Sequence, residues 1–322
     1  MSETSVELFG KDYGLLEQGT NLTEARAEEL EKRLKTNPAK VAYRLQLIGF
    51  YRRKSEYQKL RAEHLFWMIE NCPNDKGWKH RVLMGFTQNN TPCEVALAKE
   101  AWLKKVKSSP SDSDVLGNAG LFLIESEFDL GKQLLTKACD LAPQDDFWPS
   151  ELSYFCFWQA QANETGRHQN YETALEFGER FLSLYGAEGG RRHSAIRWRA
   201  QLRCANSALE LGKLAQAKQY AASAFESSEG GSNPPKTCLS ILGLIALQEG
   251  SVEEAKKHLL ELDQKYVVDS IDLKLANELV KMGHSDAVIQ YLSECKNRGV
   301  WENRPIDSWL NDLEHGLQPV LC

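Results

Sequence analysis

The stretches CANSALELGKLAQAKQYAASA (Cys204–Ala224) and LGLIALQEGSVEEAKKHLLEL (Leu242–Leu262) decide the fold. Each opens on a large or sulfur-bearing residue beside a small one, Cys204-Ala205 and Leu242-Gly243, with a further alanine one turn on, Ala208 and Ala246. Each then breaks at a glycine, Gly212 and Gly250, and resumes with small and large apolar residues at three-to-four spacing: Ala217, Ala221 and Ala224, then Ala255, Leu259 and Leu262. Small residues in a helix let a neighbour approach closely, and glycine ends a helix where the chain must turn. The grammar is therefore helix, turn, helix. It recurs at Gly283 with Ala287, the glycines lying 38 and 33 residues apart.

Outward toward the N-terminus the punctuation changes to proline. Pro38, Pro73, Pro110 and Pro143 each follow a helical pattern, at separations of 35, 37 and 33 residues. Between Asp114 and Pro143, the residues Asn118-Ala119, Phe122, Leu134-Leu135 and Ala138 supply the same small and large positions before the closing proline. A period of about 34 residues is that of a stacked helical hairpin. On these residues the chain resembles the tetratricopeptide repeat (TPR) superfamily, over roughly 22–296. The resemblance implies an all-α, right-handed α-solenoid of TPR-like hairpins, about seven units plus a C-terminal capping helix.

The pattern predicts helices over most of this range, including 78–86, 148–163, 170–185 and 306–316, and no period-two run of β-branched residues predicts a strand. An insertion is expected around Glu164 to Asn170. The expected organisation is a partly disordered N-terminal extension over 1–21, the repeat array over 22–300, and a capping helix and tail over 301–322, in which Trp309, Leu310 and Leu313 cover the last apolar face.

Composition bounds the function. With 39 lysines and arginines against 45 aspartates and glutamates, the net charge of −6 provides no global positive field for nucleic acid or an anionic bilayer. No run reaches the roughly 18 apolar residues of a membrane span, and Met-Ser-Glu-Thr-Ser-Val-Glu has neither the basic nor the apolar region of a secretory signal. The expected location is the cytoplasm. Eight scattered cysteines with no Cys-x-x-Cys pair are expected to be reduced thiols, and seven separated histidines suggest no metal site.

The phosphate-loop, dinucleotide, zinc-protease, nucleophile-elbow and calcium-loop patterns do not occur, so neither a catalytic residue nor a cofactor is expected. The sharpest cluster is basic: Arg191, Arg192, His193, Arg197, Arg199 and Arg203 fall within thirteen residues. Arg199 and Arg203, four apart, share a helical face that Asn206 extends. An arginine fork can hold a carboxylate or phosphate in paired charge-assisted bonds, so Arg197, Arg199, Arg203 and Asn206 are candidates for an anionic group of a partner. The alternative is that these arginines pair with Glu176, Glu179 or Glu210 on a solvated face. A second basic run, Arg44, Arg52, Arg53, Lys54, Lys59 and Arg61, reads as solvated surface. Trp148, Tyr154, Phe155 and Trp158 crowd one helix and are candidate groove aromatics, or core if that helix is buried on both sides.

Three readings follow. The first is a non-catalytic scaffold or adaptor that binds a protein or peptide in the concave groove which the resemblance implies. An enzyme or small-ligand receptor using the aromatic helix as a pocket wall is the alternative. A nucleic-acid-binding repeat is least favoured, because the units share no polar code residue and the net charge is negative. Oligomeric state is not legible.

Overall fold

A computed structural model of the chain describes residues 14–52, 54–79, 92–185, 191–227, 235–263, 270–297 and 305–321. All regular structure among them is helical, and the helices form TPR-like hairpins. The chain divides into two units, Met1–Trp148 and Pro149–Cys322.

The first unit holds a helix over 14–20 (α1), then α2 (Glu24–Thr36), α3 (Val41–Tyr51), α4 (Gln58–Asn71), α5 (Pro92–Ser108), α6 (Ser113–Leu123) and α7 (Phe128–Leu141). Helix starts follow local chemistry. Thr23 caps α2 by accepting from the Arg26 N–H, and the Asp112 carboxylate caps α6 by accepting from Asp114 N–H and Val115 N–H at 3.0 and 3.1 Å. Consecutive helices pack from α2 to α5 and from α5 to α7. Between α4 and α5 the described part is a short 3-10 turn, Lys76–Lys79; the rest of the helix expected over 78–86 lies outside the described residues.

The core of this unit is built from large side chains. Trp78, Trp102 and Trp148 are fully buried; Trp78 meets Trp102 edge-on at 5.0 Å and donates its indole N–H to the Cys72 carbonyl. Trp148 fills the space above Gly117, where a Cβ would come within 2.5 Å of the indole. Lys79 closes the arrangement, bonding Asp145 at 2.6 Å with its ammonium 4.4 Å from the Trp148 ring centroid.

The second unit begins in the first turn of α8 (Phe147–Ala162) and continues with α9 (Arg167–Leu184), α10 (Arg191–Glu210), α11 (Leu214–Ser227), α12 (Pro235–Gln248), α13 (Val252–Asp263), α14 (Ser270–Lys281), α15 (Ser285–Asn297) and α16 (Ile306–Glu314). Here the hairpins stack regularly. Each first helix packs on its own second helix, α10 on α11, α12 on α13 and α14 on α15; first helices also meet in the series α10, α12, α14, and α13 meets α15. That pairing is the signature of a helical-hairpin solenoid.

The turns explain the glycine period. Gly212, Gly250 and Gly283 have φ of 70°, 80° and 83°, and the residue after each donates five positions back, Lys213 to Ala208, Ser251 to Ala246 and His284 to Leu279, at 2.8–2.9 Å. This left-handed cap closes the first helix and launches the second. Small residues set the helix spacing: a Cβ on Gly178 of α9 would sit 2.5 Å from the Cys204 sulfur of α10 and 3.1 Å from the Ser153 hydroxyl of α8. Cys204, Ala205, Ala208, Ala217, Ala221 and Ala255 are all buried. The last hairpin is covered by α16, whose Ile306, Trp309, Leu310 and Leu313 are buried.

Two expectations are corrected. No insertion occupies Glu164–Asn170: the connection is a tight turn ending at Gly166, φ 69°, and the extra length lies in the 16- and 18-residue helices α8 and α9. The basic run in the first unit is not all surface, since Arg44 and Arg61 are buried at 8% and 1% exposure; burial lowers the Arg61 guanidinium to about 10.

Candidate binding face

In the second unit the first helices of successive hairpins share one face. Leu209 and Glu210 of α10, Leu244 and Gln248 of α12, and Lys274 of α14 with Met282 just beyond it line a cleft of about 370 Å³. Glu210 is ion-paired with Lys274 across it, and Met282 is 48% exposed. Periodicity dictates this common lining, because every first helix turns its small residues to its neighbours and leaves one stripe uncovered.

The predicted aromatics fall into two groups. Trp148 is core, with no exposed surface, because the side-chain-free Gly117 offers it a slot. Tyr154, Phe155 and Trp158 stay together on α8: Tyr154 meets Phe155 at 5.3 Å and Trp158 at 6.1 Å, and Trp158 is 51% exposed. Trp158, half exposed and braced by Tyr154 and by Phe157 at 5.8 Å, is a rigid apolar contact point.

The predicted basic residues lie on α10. Arg203 crosses from there to Tyr154, its guanidinium carbon 5.9 Å from the ring centroid, which joins the basic and aromatic clusters on the first helices of adjacent hairpins. Arg199, one turn before it, is exposed and lies 5.4 Å from the Trp198 ring. Arg197 points elsewhere, donating to the Tyr185 carbonyl at 2.8 Å and so capping the end of α9. The Asn206 side chain donates back to the Leu202 carbonyl of its own helix at 3.1 Å. Arg191, Arg192 and His193 open α10, and their side chains lie outside the described residues. Two carboxylates considered as arginine partners are engaged otherwise: Glu179 accepts from the Tyr220 hydroxyl at 2.9 Å and from Gln216, and Glu210 pairs with Lys274. Burial and the bond to Glu179 push the Tyr220 phenol well above its ordinary range.

Two polar arrangements escaped the sequence reading. In the first unit, Glu31 accepts from His64 Nε2 at 2.8 Å and from the Tyr51 hydroxyl at 2.9 Å, while His64 Nδ1 faces Arg44 Nη1 at 3.1 Å. Arginine only donates, so Nδ1 accepts and the ring is the neutral Nε2–H tautomer. Arg44 also donates to the Pro38 carbonyl and lies 3.9 Å from the centre of the Trp67 ring. Burial alone would raise the Glu31 carboxyl, but the bonds from His64 and Tyr51 outweigh it and hold Glu31 below its ordinary value. The network ties α2, α3 and α4 together, and its members satisfy one another. The sequence shows an isolated histidine and arginine; only the hairpin contact makes them partners.

The second is Asn277 on α14. Its side-chain amide donates to the Leu321 carbonyl and accepts from the Leu321 N–H, both at 2.9 Å. A signal for it existed: Asn206 and Asn277 each stand six residues before a turn glycine, Gly212 and Gly283.

Among the described residues no group of histidine, cysteine, aspartate and glutamate is placed to hold a metal ion, and no helix is long and apolar enough to cross a membrane. No family model matches the chain, and no curated protein does. Solved structures similar to it include that of pilF from Pseudomonas aeruginosa, at 14% identity and a TM-score of 0.43 over 80% of this chain and 99% of that one. They also include that of PilW, a widely conserved type IV pilus biogenesis factor, at 12% identity and a TM-score of 0.46 over 73% of this chain and 96% of that one.

Proposed function

We propose that the chain is a non-catalytic interaction scaffold that takes a protein or peptide partner on the first-helix face of its second unit. The observation carrying this reading is the series Arg203, Tyr154 and Trp158: the Arg203 guanidinium lies against half-buried Tyr154 on the adjacent first helix, Tyr154 meets exposed Trp158, and exposed Arg199 stands one turn away. An aromatic anchor beside arginine is the side-chain chemistry that dominates protein interfaces. The arginine pair suits a partner segment bearing carboxylates. With buried free thiols and no membrane-crossing helix among the described residues, the cytoplasm is the compartment that fits this reading.

Affinity purification of the wild-type chain beside an Arg199→Ala/Arg203→Ala variant, with mass spectrometry of the retained proteins, tests it. A partner lost selectively from the variant supports the reading and identifies the client. Identical partners from both baits would remove the arginines from the site. If neither bait retains a protein, the face is no protein-binding surface.

A further inference from the structure

The segment after α16 does not leave the molecule. Gly316, φ 74°, makes the same turn as the glycines within the array, with Leu317 N–H donating to the Asp312 carbonyl at 2.8 Å. In the other units a second helix follows. Here Pro319 stands in the next turn, and Leu317–Leu321 runs on without helix or strand. Asn277 then holds Leu321 by both its backbone groups, as a strand residue is held by its hydrogen-bonded partner across an antiparallel pair.

The hold is narrow. Leu321 is buried at 3% exposure, but Leu317 and Val320 are 57% and 77% exposed. A cleft of about 650 Å³ remains between the segment and α14, lined by Leu273, Asn277, Val280, Pro319 and Leu321. Lys274 and Glu278 border both this cleft and the one shared by α10, α12 and α14. The segment therefore lies beside the proposed binding face, attached through one side-chain amide and one apolar side chain.

We propose that Leu317–Leu321 is a displaceable internal occupant of a peptide site on α14, in which Asn277 reads the backbone of an extended segment and the neighbouring cleft takes its apolar side chain. The partner is an unstructured protein segment that offers a leucine-like side chain on a residue whose N–H and C=O are both free. The inference deepens the scaffold reading and rests on it for the protein nature of the partner. Because the occupant is tethered, it competes at an effective concentration on the order of millimolar, which raises the partner concentration needed for binding.

The test uses the full chain and a labelled synthetic peptide copying residues 316–322. In a Leu321→Asp chain the internal segment cannot seat its anchor, and the peptide binds about tenfold more tightly than to the wild type, the change a tether of that effective concentration imposes on a ligand of about 0.1 mM affinity. Adding Asn277→Ala to that chain abolishes the gain. Equal affinity for the wild type and Leu321→Asp, or a gain that survives Asn277→Ala, overturns the proposal. Hydrogen exchange on the unmodified chain decides independently of any variant. The Leu321 amide is expected to be protected yet to exchange faster than the Leu279 amide of α14, whereas equal rates would mean the segment is fixed core. The Arg199→Ala/Arg203→Ala variant keeps wild-type affinity for this peptide, so failure of the α14 site is distinguishable from failure of the arginine-bearing face.

Discussion

The two units fill the same hairpin architecture with different emphasis. The first fills its core with Trp78, Trp102 and Trp148, buries Arg44, Arg61 and His64, and lets helices meet closely only at particular glycines such as Gly49 and Gly131. The second draws its helices together on Gly178, Cys204, Ala205, Ala208, Ala217, Ala221 and Ala255, and leaves Trp158 and Met282 half exposed. Close approach through small residues is a local rule that must be obeyed again in every unit, so it generates a repeat. A buried tryptophan is a particular solution at one contact, so in the first unit the period is carried by the closing prolines instead.

The largest effect that would sharpen this comparison is at a buried tryptophan. Trp102→Ala is expected to cost about 4 kcal/mol, because it removes a fully buried indole packed edge-on against Trp78; denaturant unfolding checks it, and a loss below about 2 kcal/mol would show that this contact is dispensable. Next comes the opposite change in the close-packed unit. Gly178→Ala places a methyl group against Cys204 and Ser153 and should cost about 2 kcal/mol, while a neutral result would mean that α9 can move away from α10. Gly250→Ala, at a turn with open space around it, isolates the backbone contribution at about 1 kcal/mol.

A pH dependence separates the units further. Glu31 is held below its ordinary value of 4.5 when folded, so its bonds stabilise the first unit fully above that value, and the contribution is lost as pH falls through the lower folded value. Glu31→Gln should therefore cost about 1–2 kcal/mol near neutrality, and the gap to the wild type should close as melts are repeated toward pH 3. A gap of constant size would show that the carboxylate charge contributes nothing. The smallest effect is expected at Arg199→Ala, within about 0.5 kcal/mol of the wild type in stability, since the side chain is exposed.

What could be read from the sequence is clearest in the second unit, although Ala119, Leu135 and Ala138 of the first are buried as their spacing predicts. The glycine turns and alanine positions of the second unit are stated in the sequence, and the structure turns each into a left-handed cap or a helix contact. The candidate site was half legible. Arg199 and Arg203 stand out because basic residues at four-residue spacing share a face whatever else the chain does. Trp148 and Trp158 are the same residue type ten positions apart, yet one fills a slot over Gly117 and the other faces outward; only tertiary contact distinguishes them. Asn277 was missed because its partner lies 44 residues away in a stretch without periodicity.

The buried cysteines also make the molecule self-reporting. Cys139, Cys156, Cys204, Cys238 and Cys295 sit in α7, α8, α10, α12 and α15, all hidden from water, and burial pushes the Cys204 and Cys238 thiols up to about 12. A thiol in that state is inert to alkylating reagents until its helix opens. Pulse alkylation followed by peptide mapping would thus time the opening of five separate helices with no engineered probe. The order in which the thiols react would be a map of where the array comes apart.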